Sequence, residues 1–320
     1  MGNGLAGYTR PLFGPAVSDG PATRDRGSTV LVVGAASRDV TTEDPRGWRL
    51  GGAVTYGSLT LARLGLLVRA LIGVDGEAAE ARELEELHDA GVEVERARLG
   101  RGPVFENIER PAGRRQRCLS VADPLDPAML PAGWRHNDAV FLGPVAGELG
   151  SAWASITAPF VVLGWQGLLR RLVPGEDVER IAPRPEPLLA VANLVGVSGD
   201  DVDPRVRLGA LVDLVRPGAT LVVTRGDRGG TALVSRRPAR STLRAYPAIP
   251  SNGVVDPTGA GDVFLAAVLG ATLDGARLGV ESLAARLTFA AAAGSLTVER
   301  PGVDGVPSLE AIRRRVADVV

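Results

Sequence analysis

The sequence predicts an α/β protein built on a doubly wound, mostly parallel sheet with helices on both faces and a small antiparallel sheet set apart from it. Three observations carry this. Apolar runs at 28–34, 138–145, 159–164, 188–197 and 219–224 lack polar alternation, as strands buried on both faces do. Helical segments separate them, the order of a parallel sheet. Between residues 92 and 121 the period changes to two, with turns at Gly100-Arg101-Gly102 and Pro111-Ala112-Gly113, as in antiparallel pairing.

Taken in order, residues 1–27 are rich in Gly and Pro and lack an apolar signal-peptide core, so a disordered N-terminal extension is expected, with one domain over 28–320. The strand at 28–34 ends in Gly34, and Asp39 lies just beyond. Ligands of open α/β sheets gather outside the carboxyl ends of strands, where an Asp can meet a hydroxyl. A solvated loop Asp is the commoner alternative. Gly51-Gly52 leads towards a helix at 58–64, and paired glycines let backbone amides approach a polar ligand. An amphipathic helix at 77–90 ends at Gly91. Gln166 follows the strand at 159–164 and is placed to reach substrate, whereas Trp165 reads as packing. Ser198-Gly199-Asp200-Asp201 follows the run at 188–197. The run at 219–224 ends at Thr224, and 231–235 with 241–249 reads as a hairpin.

The most informative stretch is Val254-Val255-Asp256-Pro257-Thr258-Gly259-Ala260-Gly261-Asp262, followed by an apolar helix at 263–273. Thr258 is a candidate N-cap. Glycines in a first helical turn let an anion approach exposed amides, and the helix dipole favours negative charge there. Asp262 sets a proton acceptor beside that cradle, as phosphoryl transfer to a hydroxyl requires. The plainer alternative is an Asp that only complements the dipole. A second helix, 280–298, contains Ala290-Ala291-Ala292-Ala293-Gly294-Ser295, small enough for a flat base or for tight helix packing. The chain closes with a surface helix at 308–319.

Composition removes other chemistries. All 36 basic residues are arginine, so a Walker-type P-loop and Schiff-base catalysis, which need a lysine amine, are excluded. A net charge of −1 gives no footprint for nucleic acid. Cys118 is the single cysteine and allows no internal disulfide, which suits the reducing cytoplasm. His88 and His136 form no metal cluster. No run is long and apolar enough for a membrane span.

The segment 256–262 resembles the C-terminal signature of the PfkB, or ribokinase-like, carbohydrate kinases, Asp-Thr-x-Gly-Ala-Gly-Asp, with one extra Pro. Gly51-Gly52, Leu64-Gly65 and Gly73-Val74-Asp75 resemble the family's first signature. The resemblance spans about 28–320. It implies a ribokinase-like fold whose β lid, formed by about 40–52 and 92–121, covers a sugar site and can mediate a homodimer. It further implies Asp262 as catalytic base with Gly259, Ala260 and Gly261 as anion hole. Asp39, Gly51, Gly52, Asn107 and Gln166 would hold substrate, and Phe105, Arg114, Arg115 and Arg117 are further lid candidates. Thr224, Gly226, Gly229, Thr258 and Ser295 would hold nucleotide. Where the family has Asn-x-x-Glu, tied to magnesium, this chain has Ser198 and Asp201, which keeps a carboxylate for Mg²⁺. Phe105-Glu106-Asn107, Gly143-Pro144-Val145 and Trp165-Gln166-Gly167 resemble the myo-inositol kinase-like branch.

The implied function is transfer of the γ-phosphate of ATP, with Mg²⁺, to a hydroxyl of a small sugar or polyol. A nucleoside kinase of the same fold and a catalytically silent nucleotide or sugar binder are the alternatives. Neither nucleic acid nor membrane is an expected partner.

Overall fold

The computed structural model describes residues 27–108, 115–235 and 242–319. Most of the expected N-terminal extension, Arg114 and the start of the 241–249 strand therefore lie outside the described residues. The chain runs β1 (Thr29–Ala35), β2 (Arg38–Val40), β3 (Trp48–Leu50), α1 (Ala53–Arg63), β4 (Leu67–Val74), α2 (Arg82–Asp89), β5 (Glu93–Arg98), β6 (Val104–Ile108) and β7 (Arg115–Ser120). There follow β8 (Ala139–Leu142), β9 (Phe160–Gly164), β10 (Arg170–Arg171), β11 (Glu179–Arg180), α3 (Pro187–Val191), β12 (Leu194–Ser198), α4 (Leu208–Val212), β13 (Thr220–Thr224), β14 (Gly230–Val234) and β15 (Thr242–Tyr246). Four helices end the chain: α5 (Ala260–Leu273), α6 (Gly275–Leu278), α7 (Leu283–Thr297) and α8 (Leu309–Ala317).

Nine strands form one sheet in the order β15-β14-β13-β12-β9-β8-β1-β4-β5, parallel from β13 to β5 and antiparallel at the β14–β15 edge. Alternation along β1 shows why both faces are covered. Val30 and Val32 enter a core with α1, α5 and α7, while Leu31, Val33 and Ala35 enter a second core with α3 and α4. All five are fully buried, and each larger aliphatic contributes on the order of 2 kcal/mol of apolar burial.

Several sequence expectations change. β4 lay in a stretch for which no strand was expected. β5, expected in the lid, instead pairs parallel with β4 at the edge of the main sheet. Its alternation reflects one exposed face of an edge strand. The run at 188–197 divides into α3, with Pro187 in its first turn, and β12. Between them the Asn193 side chain accepts a 2.8 Å hydrogen bond from the Val161 amide and pins the start of β12 beside β9. The helix expected over 280–298 begins at Leu283, where the Ser282 hydroxyl accepts from the Ala285 amide. The helix expected from 77 is broken at Ala81, which is extended.

A second sheet, in the order β3-β2-β6-β7, stands over the carboxyl ends of the main strands. β2 and β3 pair antiparallel, as do β6 and β7, and a parallel β2–β6 ladder joins the two pairs. Arg46 anchors this sheet by a bidentate pair with the buried Glu83 and by stacking on Trp48, 4.5 Å from the ring centre. A further strip, absent from the sequence expectations, extends it. Cys118 donates to the Glu176 carbonyl and accepts from Gly175, and Val178 donates to Gln116, so residues 175–178 cover the outer edge of β7.

Candidate active site

One cleft of about 1110 Å³ opens at the carboxyl ends of β1, β8, β9, β12 and β13, beneath the small sheet. That volume can hold a small polyol and a phosphate chain together. Its position follows from the parallel topology, since loops leaving neighbouring strands diverge there.

The cleft floor is the start of α5. Asp256 makes the turn before it: its Oδ1 accepts from the Thr258 amide at 2.9 Å and its Oδ2 from the Gly302 amide at 3.0 Å. The N-cap is Gly259 (φ 78°), not Thr258 as expected, and no described side chain caps the helix. A Cβ on Gly259 would lie 2.4 Å from the Tyr56 ring, so both conformation and space demand glycine. Gly261 differs, because nothing stands within 4 Å of a Cβ built there. The first-turn amides therefore border open cleft, with the positive end of a 14-residue helix behind them.

Asp262 completes that turn and lines the cleft. Burial pushes its pKa up to about 7; the positive charge of Arg170 opposes the shift, while Asp201 and Asp39 add to it. A carboxyl poised near neutrality is matched to taking a proton from an alcohol.

The other expected residues separate into two groups. Asp39, Gly52, Asn107, Gln166, Asp201, Thr224, Gly226 and Thr258 line the same cleft. Asp39 sits on β2, where the Ser37 hydroxyl donates to its Oδ1 at 3.2 Å. Behind it, Arg38 pairs with the buried Asp75 at 2.9 Å, which gives the expected Gly73-Val74-Asp75 motif a bracing role. Asn107 accepts from Gln116 at 2.9 Å, and both side chains face the cleft.

Gly51, Gly229 and Ser295 do not line it. A Cβ on Gly51 would meet Asp39 Oδ2 at 2.3 Å, so this glycine makes room for the carboxylate, not for a ligand. A Cβ on Gly229 would meet the Tyr246 carbonyl at 2.2 Å, a packing constraint against the next strand. The Ser295 hydroxyl donates within α7 and accepts from Arg315 at 3.0 Å. The alanine run beside it packs in the core, with Ala290, Ala292 and Ala293 fully buried. In the lid, Phe105 is buried against Cys118, while Arg115 pairs with Asp177 and Arg117 donates to the Gly175 carbonyl, both towards the 173–178 strip.

Asp201 differs most from expectation. Its Oδ2 accepts from Gln166 at 3.0 Å and its Oδ1 from Arg170 at 2.9 Å, so both oxygens face nitrogen donors. Ser198 accepts from the Asp200 amide at 3.1 Å and caps a short turn. Among the described residues no group of three or more His, Cys, Asp or Glu can hold a metal ion. Each Asp201 oxygen is engaged by one of the protein's own donors.

Three participants escaped the sequence reading. Arg170, four residues after Gln166, brings a partly buried cation to the cleft. Tyr56 provides the surface on which Gly259 rests. Glu148 is fully buried and accepts from the amides of Ala35, Val145 and Ala146 at 2.8–3.1 Å, so it ties the end of β1 to the loop after β8. Burial pushes its pKa up. Only the contact map of the folded chain joins these positions.

Comparison with known proteins bears on the fold and on the C-terminal part of the chain. A family model described as pfkB family carbohydrate kinase matches residues 192–309, which contain the α5 turn. No curated protein sequence matches. Among solved structures, a pyrophosphate-dependent kinase in the ribokinase family, complexed with a pyrophosphate analog and myo-inositol, is similar at a TM-score of 0.67 and 21% identity, over 89% of this chain and 99% of that one. Arabidopsis thaliana ribokinase complexed with ribose and ATP is similar at 0.65 and 19%, over 91% and 99%. A nucleoside kinase from Methanocaldococcus jannaschii is similar at 0.65 and 16%, over 92% and 99%. The chain thus carries a match to the pfkB family carbohydrate kinase model in its C-terminal part, on a ribokinase-like fold. No helix among the described residues is long and apolar enough to cross a membrane.

Proposed function

We propose that this protein is a kinase that moves the γ-phosphate of ATP to a hydroxyl of a small sugar or polyol. The observation that carries the reading is Asp262 in the uncapped first turn of α5, on the floor of a cleft that has Asp39 and Asn107 under the lid and Thr224 and Gly226 at the β13 loop. Asp39, braced by Ser37, accepts a hydrogen bond from an acceptor hydroxyl and orients it. The reacting hydroxyl gives its proton to the Asp262 carboxylate as its oxygen bonds to the γ-phosphorus. The bond from that phosphorus to the bridging oxygen of ADP breaks, and ADP leaves. Amides of the 259–262 turn stabilise the charge on the transferring group. The donor would be MgATP, whose metal would be held chiefly by phosphates and water and would supply charge neutralisation on the nucleotide.

Tyr56, Phe105, Trp165 and Phe264, the four aromatics bordering the cleft, are at most 6% exposed. None offers an open face on which a nucleoside base could stack, which favours a sugar or polyol over a nucleoside. The test is a panel of polyols, sugars and nucleosides with MgATP, read by ADP release, with myo-inositol first among the polyols because one structural neighbour binds it. A parallel series with magnesium pyrophosphate, read by phosphate release, checks the donor. Turnover of a polyol or sugar with MgATP is expected. Turnover confined to nucleosides, or to pyrophosphate, would overturn the acceptor or the donor assignment respectively. The cytoplasmic location and a lid-mediated homodimer belong to the same proposal, the dimer using the β3 edge, since residues 175–178 already cover β7.

A further inference from the structure

Five carboxylates, Asp39, Asp200, Asp201, Asp203 and Asp262, border a cleft proposed to receive a polyanionic donor, in a chain without lysine. Some cation must offset that charge. Arg170, Arg180 and Arg205 line the cleft. Arg205 is 90% exposed and bound to Asp203, and Arg180 is exposed. Arg170 is instead held inside: its side chain is 11% exposed and that of Asp201 12%. Asp201 is the hydrogen-bond acceptor it meets among the described residues, and a guanidinium has five N–H donors, so others remain for a ligand. Gln166 fixes the second oxygen of Asp201 and thereby the direction in which Arg170 is presented.

We propose that Arg170 is the cation that binds the transferring phosphoryl group, and that Asp201, braced by Gln166, is a positioning residue for Arg170 and not a metal ligand. The inference rests on phosphoryl transfer at Asp262. No proton leaves Arg170; its N–H groups hydrogen-bond the phosphoryl oxygens, whose charge is greatest as the bond to ADP breaks. The positive charge of Arg170 also opposes the rise in the Asp262 pKa to which Asp201 and Asp39 add, and so favours the ionised base.

The test compares wild type with Arg170→Gln, Arg170→Lys, Asp201→Asn and the double variant Arg170→Gln/Asp201→Asn, using the acceptor found in the panel. Arg170→Gln should lower kcat about 10²- to 10³-fold, the loss typical of one oxyanion donor, with acceptor KM within roughly three-fold. Arg170→Lys should recover part of that loss. The rising limb of the pH profile should move to higher pH in Arg170→Gln, because Asp39 and Asp201 then face Asp262 without an opposing cation. Asp201→Asn should lower kcat and leave the half-saturating Mg²⁺ concentration unchanged. Arg170→Gln strands the Asp201 charge; the neutral double variant removes both charges, so it keeps the kcat comparison decisive if the single variant unfolds. Unchanged kcat in that double variant, or a ten-fold rise in the Mg²⁺ requirement of Asp201→Asn, would overturn the proposal. A wild type inactive on the whole panel overturns the kinase reading itself, whereas an active wild type with an indifferent Arg170 overturns only this inference.

Discussion

Two glycine turns open two helices that pack against each other beside the cleft, and they are built for different purposes. Before α1, a Cβ on Gly51 would strike the Asp39 carboxylate, and one on Gly52 (φ 91°) would lie 2.7 Å from the Ala35 carbonyl. Both glycines bring protein atoms together. Before α5, Gly259 likewise yields its space to Tyr56, but Gly261 yields its space to nothing in the protein. A glycine pair in a sequence therefore has two physical meanings, and only the surroundings of the missing Cβ distinguish them. One turn positions a carboxylate; the other leaves amides open to a ligand.

The largest expected effect tests whether the α5 turn is the reactive one. Asp262→Asn should lower kcat by about 10²- to 10⁴-fold, the span for loss of a general base, with little change in KM. For the wild type, kcat/KM should rise with pH through about 7, because the ionised carboxylate is the active form. Stability should run the other way. Since burial raises this pKa, the unfolded chain ionises first as pH rises, so the folded state loses stability between about pH 4 and pH 7. Asp262→Asn should thus raise the unfolding midpoint, by an amount that grows over that interval and levels off above it. A flat pH–rate profile between 5 and 9 would remove Asp262 from the role of base.

Gly259→Ala comes next. It places a non-glycine residue at φ 78° and a methyl group inside the Tyr56 ring, and should destabilise by roughly 3 kcal/mol in urea unfolding. Gly51→Ala should displace the Asp39 carboxylate and raise acceptor KM on the order of ten-fold while kcat falls less. If Gly51→Ala instead impairs ATP binding and spares the acceptor, the contrast between the two turns is reversed.

Much of the architecture was legible because its signals are local. Continuous apolar runs marked β1, β8, β9 and β13, and alternation marked β6. β4 was missed, and β5 was misassigned because an edge position, not the sequence period, decides which sheet a strand joins. At the site, the cleft positions of Asp39 and the 258–262 turn were legible from polar residues next to glycine. Gly229 and Ser295 carried the same kind of signal yet serve packing and an Arg315 contact. Arg170 gave no signal at all, because its significance lies in a pairing with Asp201, 31 positions away. Spacing within a motif records backbone geometry, whereas long-range ion pairs leave no trace along the chain.

The smallest expected effect is also the most discriminating. Gly261 has helical backbone geometry and open space around its Cβ position, so Gly261→Ala introduces no internal clash and gains up to about 1 kcal/mol of helix propensity. Its unfolding midpoint should be equal to or above that of the wild type. The new methyl group does, however, project into the cradle beside the first-turn amides. kcat/KM should therefore fall on the order of ten-fold, since a displacement of about 1 Å in a reacting group is felt in the rate. A stable variant with reduced turnover identifies Gly261 as a position kept open for the phosphoryl group. A stable variant with full turnover would mean that this space is empty during the reaction, and that the two turns differ in appearance only.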